Sequence, residues 1–246
     1  MTIYRFVLTC GISALIVQAS FGLAYGATVF DLSDDFSLTR NPGSVWQYGY
    51  SATKSLAPDQ FQLDRYVVKS VPVGFWHPAS GTQAVPGYYP YVAHNSTTHS
   101  QTDPTKGWVV RPGEVAMEAS NSGQYSLIRF VAPAAGTYKV TAHFEGVHFH
   151  LSSTDVHVLH NADSLFYADI DGYGGDPAFH VLQGTHPAAS YSGTVRLKAK
   201  DTLTFAVGYG KNKTHFNDTT GLFARVTLLS SSMVMPARPV KRSPAG

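Results

Sequence analysis

The stretch GTYKVTAHFEG (residues 136–146) contains the pattern that decides the fold class of this chain. Apolar side chains occupy every second position of it: Tyr138, Val140, Ala142 and Phe144. Successive side chains of a β-strand point to opposite faces, so this alternation predicts a strand with one buried and one solvent-facing side. The segments SGTVRLKAK (192–200) and DTLTFAVGYG (201–210) repeat the pattern. Such strands, without a helical period between them, predict an all-β fold, a single-domain β-sandwich of jelly-roll or Greek-key type.

Turn residues divide this strand zone into predicted hairpins. Pro133 and Gly136 mark one turn, Asn161-Ala162-Asp163 marks a second, and Lys198–Asp201 marks a third. We expect the strands on either side of each turn to pair with one another.

The first 26 residues predict a secretory signal peptide. Arg5 precedes an apolar run over residues 6–17, and Ala24-Tyr25-Gly26 supplies small residues at the two positions that a signal peptidase requires. The run is short for a membrane span, and polar sequence follows it at once. We therefore expect an exported, extracellular protein that begins at Ala27.

The remaining sequence predicts one β-sandwich domain over residues 27–230 and a disordered tail over residues 231–246. Residues 27–113 are rich in turns and loops, residues 114–229 carry the regular strands, and no linker composition separates them. The tail is Pro-rich, basic and aperiodic, which is typical of a disordered end. No second apolar segment precedes the tail, so we expect no transmembrane anchor.

Composition excludes several classes of site. Cys10, the one cysteine, lies in the predicted signal peptide, so we expect no disulfide, thiolate metal site or cysteine nucleophile. The formal net charge is +2 and the basic residues are scattered, which argues against nucleic acid or a charged membrane as partner. We expect a monomer stabilised by its hydrophobic core.

Several segments resemble a group of bacterial exported proteins of the PEP-CTERM-associated type. They are DDFSLTRNPGSVWQYGY (34–50), YSLIRFVAPAAGTYKVTAHF (125–144), TDVHVLHNADSLF (154–166) and NDTTGLFARVTL (217–228). The resemblance implies export and a β-sandwich like that of a carbohydrate-binding module, without naming an activity. The Pro-Glu-Pro segment of the sorting signal does not occur in this sequence.

Histidines and carboxylates on two predicted strands form the first candidate site. His143 and Glu145 lie on one strand, and Asp155 and His157 lie on the next. If the two strands pair as a hairpin, one register sets the histidines opposite each other and the carboxylates likewise. Such a patch suits a divalent metal or a polar ligand. The alternative is a solvated sheet face that happens to be rich in histidine.

The segment DIDGYGGD (169–176) forms a candidate calcium site. Asp169, Asp171 and Asp176 supply carboxylates on a Gly-rich loop, and Ca²⁺ prefers six to eight oxygen ligands. The alternative is an ordinary polar turn.

Aromatic residues in the loop-rich zone form a candidate sugar-stacking surface, consisting of Trp76, Tyr88, Tyr89 and Tyr91. Trp76 lies in turn-like sequence, where we expect an exposed indole. The alternative places these rings in the core.

Catalytic motifs are absent from the sequence. There is no Gly-x-Ser-x-Gly elbow, no His-Glu-x-x-His and no Gly-rich phosphate loop, and no two carboxylates stand out as acid and nucleophile. The leading hypothesis is therefore a non-catalytic module that binds extracellular carbohydrate. The second is a structural protein of the cell surface or extracellular matrix, and the third is a polysaccharide-active enzyme with a dispersed site.

Overall fold

The computed structural model describes residues 27–69, 73–78, 89–103, 107–179 and 184–231, and these are mostly β-strand. The strands, in chain order, are β1 (Thr28–Asp31), β2 (Trp46–Ser51), β3 (Phe61–Leu63), β4 (Tyr66–Val68), β5 (Val73–His77), β6 (Tyr91–Asn95), β7 (Gln101–Asp103), β8 (Trp108–Val110), β9 (Val115–Glu118), β10 (Ser126–Val131), β11 (Gly136–Gly146), β12 (Ser153–His160), β13 (Asp163–Asp171), β14 (Ala188–Leu197), β15 (Thr202–Val207) and β16 (Thr220–Ser231). Helix is limited to α1 (Leu32–Asp35) and one 3₁₀ turn (Pro58–Gln60) in these ranges, and neither could cross a membrane.

Two antiparallel sheets form the body of the molecule. The first sheet has the order β14-β11-β16-β9-β6-β5-β4, with β1 also paired to β16. The second sheet has the order β13-β12-β15-β10-β2-β3, and β7 and β8 form a separate ribbon. Neighbours in both sheets are often distant in the chain, as crossed β-sandwich topologies require. The predicted all-β sandwich is confirmed.

The inner faces of the two sheets enclose one hydrophobic core. Phe144 and Leu222 from the first sheet and Phe205 from the second are fully buried in the same cluster. Phe130 and Tyr138 meet across the two sheets with ring centroids 6.0 Å apart in an edge-on arrangement. The predicted inward face of residues 136–146 is confirmed, because all four of its alternating apolar residues are buried.

The outer face of β15 differs from the prediction. Thr204 and Ala206 occupy the solvent-facing positions of the alternation in residues 201–210, yet both are buried. Ala206 joins Leu127 and Leu159 in a small apolar cluster, against which Leu56 and Phe61 pack. The loop-rich zone therefore covers part of the outer face of the second sheet, and no local alternation reveals such a cover.

The predicted turns are correct in position, but only one of them joins a hairpin. Asn161 adopts the left-handed conformation (φ 52°) in the tight connection between β12 and β13, which pair as expected. The other two turns, after β10 and after β14, carry the chain from one sheet to the other. The sequence pattern marks where the chain reverses but does not specify which strand it then pairs with.

The burial pattern of β11 predicts a large loss of stability on substitution at one position and a small loss at another. Phe144→Ala should lower the free energy of unfolding by about 3–5 kcal/mol, because it opens a cavity in the shared core. Lys139→Ala, on the exposed face, should change it by less than about 0.5 kcal/mol. Chemical denaturation of both variants measures this, and equal losses would contradict the face assignment.

Candidate functional site

A polar groove lies on the outer face of the first sheet, across β14, β11 and β16. In the strand register, His143 is flanked by Ser190 on one side and Phe223 on the other. The next row along the strands places Thr141 between Ser192 and Arg225. The groove has a volume of about 640 Å³, and its walls come from the end of β1, from α1 and from the loop before β9: Asp31, Ser33, Asp34, Pro112 and Gly113.

A chain of hydrogen bonds links the floor of this groove to a buried carboxylate. His143 Nδ1 lies 2.8 Å from Ser190 Oγ, and His143 Nε2 lies 3.1 Å from Glu145 Oε2. Arg111 donates to both oxygens of Glu145, with 2.8 Å from Nε to Oε1. Glu145 has no solvent exposure. The loop that carries Arg111 is therefore attached to β11 through a bidentate ion pair beneath the surface.

A second buried carboxyl group lies beside Glu145. Glu114 is also fully buried, and its Oε2 accepts a 2.7 Å hydrogen bond from the backbone N–H of Arg111. Gly221 makes room for it, because a Cβ at that position would stand 1.7 Å from Glu114 Oε1. Burial, and next the charge of Glu145, raise the pKa of Glu114 well above its usual value. Of the two carboxyl groups, Glu114 is therefore the one that is more readily protonated.

Glu145 is the ionised member of the pair. Burial acts to raise its pKa, but hydrogen bonds from His143, Glu114 and Arg111 outweigh burial and hold the pKa below its usual value. Glycosidase carboxyl groups stand about 5–9.5 Å apart across an accessible bond. Glu114 and Glu145 instead lie beside each other out of contact with solvent. The pair therefore positions the groups around it rather than touching a substrate.

The surface above this network is polar and includes the ring of Phe223. The guanidinium of Arg111 lies 5.7 Å from the centre of the half-buried Phe223 ring. Arg225 pairs with Asp31 at the groove edge, where its Nε donates to Oδ2 at 2.8 Å. The groove therefore offers hydroxyl groups, an imidazole and the Phe223 ring, while the charges of Arg111 and Arg225 are already paired.

The structure separates the four residues of the predicted histidine patch. His143 and Glu145 lie on the first sheet, because β11 pairs with β14 and β16. Asp155 and His157 lie on the second sheet, because β12 pairs with β13 and β15. The predicted hairpin between the two strands is wrong. Each histidine bonds instead to the carboxylate of its own strand, with 2.7 Å between His157 Nε2 and Asp155 Oδ2.

The predicted aromatic platform is also wrong in the described residues. Trp76 lies within β5, is 6% exposed, and donates from Nε1 to the carbonyl of Ser37 at 2.7 Å. Tyr89 is equally buried and stacks on His77, and the hydroxyl of Tyr91 donates to Glu118. Tyr88 lies outside the described residues. The sequence around Trp76 predicts a turn, but residues 73–77 form a strand paired on both sides.

The three carboxylates of the candidate calcium site engage different partners. Asp169 accepts from the hydroxyl of Tyr167 and from Lys211. Asp171 accepts from Thr185 and from the backbone of His186, and Asp176 accepts from Ser100 and from the backbone of Ala178. Among the residues that the structure describes, no three His, Cys, Asp or Glu side chains are grouped as metal ligands. The expected convergence on one ion is not seen, and calcium binding itself stays a prediction.

Sequence reasoning missed the residues that complete the groove. Arg111 and Glu114 lie in the turn before β9, and Phe223 lies on the outer face of β16. The Pro112-Gly113 pair indicates a turn at this point of the sequence. It does not indicate which strand the neighbouring side chains of Arg111 and Glu114 contact.

Comparisons with known proteins concern the fold. No protein-family model and no curated protein matches the chain. Among solved structures, the chain is similar to CBM51 from the Clostridium perfringens GH95 in complex with methyl-galactose (11% identity, TM-score 0.35, covering 81% of this chain and 99% of that one). It is also similar to a family 35 carbohydrate binding module from Clostridium thermocellum (12% identity, TM-score 0.29, covering 52% and 85%). Rabbit GITRL is a further match (10% identity, TM-score 0.25, covering 44% and 74%).

Removing Arg111 should lower the stability of the fold, because Glu145 then lacks its cation. Arg111→Met should destabilise the protein by about 3–5 kcal/mol at neutral pH, because it leaves a buried carboxylate without its cation. A carboxyl group whose pKa is lowered by folding, such as that of Glu145, stabilises the folded state at pH values above its ordinary pKa of 4.5. This contribution disappears as the pH falls through the lowered pKa. The loss should therefore shrink when denaturation is measured near pH 3.5.

A matched control for this prediction is Arg225→Met, whose arginine is 60% exposed in its ion pair. Arg225→Met should lower the free energy of unfolding by about 0–1 kcal/mol. Equal losses in the two variants, or a loss for Arg111→Met that does not change with pH, would contradict the role given to the buried pair.

Trp76 should behave as a core residue. Trp76→Ala should lower the free energy of unfolding by about 3–5 kcal/mol, because it removes a large buried ring and its hydrogen bond. Tyr66→Ala, on the adjacent strand β4 and 43% exposed, serves as the control and should cost far less. An unchanged melting temperature for Trp76→Ala would contradict the burial of Trp76 and indicate an exposed ring.

Proposed function

We propose that this chain is an exported, non-catalytic module that binds extracellular carbohydrate in the groove on the first sheet. One observation carries the proposal: His143, Ser190, Ser192 and Phe223 line one groove, and hydrogen bonds to Ser190 and to the buried Glu145 hold His143 in place there. The predicted signal peptide supports export, although residues 1–26 lie outside the described part.

The chemistry of the groove suits a sugar better than a charged ligand. The C–H face of a sugar ring packs against an aromatic side chain, and its hydroxyl groups exchange hydrogen bonds with serine, threonine and imidazole groups. Arg111 and Arg225 are each engaged by a carboxylate. A polyanion would have to displace those carboxylates, whereas a neutral polyol meets the groove without breaking an ion pair.

The groove is also built on rigid elements. Its floor consists of adjacent strands in an antiparallel sheet, and His143 is held by a hydrogen bond on each ring nitrogen. Groups that are already fixed lose little conformational entropy when a ligand arrives. The buried carboxyl pair supplies this fixation without contacting the ligand.

Substitution at Phe223 tests the groove directly. Phe223→Ala should weaken retention on the bound polysaccharide about tenfold or more, because truncating a stacked anchor typically costs over 1 kcal/mol. The measurement is pull-down on a panel of insoluble and matrix polysaccharides, with melting temperature followed in parallel. Phe216→Ala is the matched control, because Phe216 is 67% exposed in a loop outside the groove.

Two results would contradict the proposal. If folded Phe223→Ala is retained like the wild type, the groove is not the site. If the wild type binds no polysaccharide of a broad panel, the chain is better described as a structural protein of the cell surface or matrix.

A further inference from the structure

A second surface with ligand-binding chemistry lies on the outer face of the other sheet. Three rings form a row there: Tyr125 before β10, His157 on β12 and Tyr167 on β13. The ring centroids of Tyr125 and His157 are 5.6 Å apart, and those of His157 and Tyr167 are 5.1 Å apart. His157 and Tyr167 are also register partners across the two strands. We call these three residues the aromatic row.

Asp155 holds the His157 ring of the aromatic row and lies beside the Tyr125 ring. Its carboxylate accepts hydrogen bonds from His157 Nε2 at 2.7 Å and from the backbone N–H of Gly210 at 2.7 Å. A Cβ at Gly208 would stand 2.3 Å from Asp155 Oδ1 and 2.5 Å from the Tyr125 ring, so the glycine leaves room for both groups. The backbone at Gly208 and Gly210 is thus shaped around Asp155 and the two rings beside it.

The third ring is exposed and yet fixed. Tyr167 is 53% exposed, and its hydroxyl donates to Asp169 Oδ1 at 2.6 Å. Asp169 in turn pairs with Lys211. A ring that is both exposed and held in one orientation contributes little to the core, but it presents a preorganised apolar face to a ligand.

Within the described residues, the charged groups bonded to the aromatic row include no unpaired cation. Asp155 accepts from His157, Asp169 accepts from Tyr167, and Lys211 pairs with Asp169. A nucleic acid or an acidic protein would find no excess of positive charge here. A neutral ring-shaped polyol fits best, because the exposed ring can stack on it and nearby hydroxyl and lysine groups can hydrogen-bond to it.

We propose that the aromatic row is a second carbohydrate-binding surface, so that one molecule holds two neutral polysaccharide chains. The row lies on the second sheet and the groove lies on the first, with the shared core between them. The two surfaces face away from each other, so each presents its own binding face to a separate chain. The ligand class rests on the proposed function, whereas the location rests on the aromatic row alone.

The test compares single and double variants by electrophoresis in native gels that contain soluble neutral polysaccharides, namely mixed-linkage β-glucan, galactomannan, arabinoxylan and dextran. In a gel that retards the wild type, we expect Phe223→Ala and Tyr167→Ala each to be retarded less, and the double variant to run as in a gel without polysaccharide. Tyr167→Phe keeps the ring and should be retarded like the wild type. Tyr66→Ala, another exposed tyrosine, should also match the wild type.

Cross-linking supplies a second readout. Light scattering of the soluble polysaccharide should rise when wild-type protein is added and should not rise with either single variant, because a molecule with one site cannot join two chains. Tyr167→Leu keeps the apolar bulk of the side chain, so it replaces Tyr167→Ala if the latter fails to fold.

The outcomes separate the two proposals. If Phe223→Ala alone abolishes retardation and Tyr167→Ala matches the wild type, the groove stands and the second surface is overturned. If Tyr167→Ala alone abolishes retardation, the aromatic row is a binding surface, while the groove and the two-chain arrangement are overturned. If no gel retards the wild type, both proposals fall.

Discussion

A carboxylate without solvent contact is stable only when opposite charge and hydrogen bonds surround it, and Glu145 meets this condition through Arg111, His143 and Glu114. The bidentate bond to Arg111 ties the loop before β9 onto β11, and the bond to His143 carries the constraint to the groove floor. Burial and the charge of Glu145 raise the pKa of Glu114 well above its usual value, which lowers the repulsion between the two acidic side chains in this dry position. The groove wall, its imidazole and the arginine against Phe223 all depend on this one buried charge.

The same design recurs on the second sheet with different residues. Asp155 lies on the outer face of β12, as Glu145 does on β11, and it orients a histidine of its own strand. Around Glu145 the covered carboxylate supports a groove, whereas around Asp155 it supports a flat row of rings. In both places a glycine on a neighbouring segment leaves the room that the carboxyl group needs. The hydrophobic core fixes the strands, and the hydrogen-bonded polar side chains lie on the outer faces of the two sheets.

Local pattern predicted what depends on local geometry. Alternation along residues 136–146 correctly assigned the buried face of β11, and the turn at Asn161 correctly joined β12 to β13. Strand partners depend on the path of the whole chain, so the pairing of β11 with β16 was not predictable from either segment. The contact of Glu145 with Arg111 and Glu114 is likewise long-range. Trp76 was misassigned because glycine marks strands as well as turns, and only the packed neighbours decide between them.

Chemical-shift mapping by NMR tests the central claim most directly. The ligand would be oligosaccharides released from a polysaccharide that retains the protein, titrated into labelled chain. The account predicts saturable shifts in two separate sets, one around His143, Ser190 and Phe223 and one around Tyr125, His157 and Tyr167. Shifts confined to residues outside both sets, such as the strands around Trp76, would contradict it.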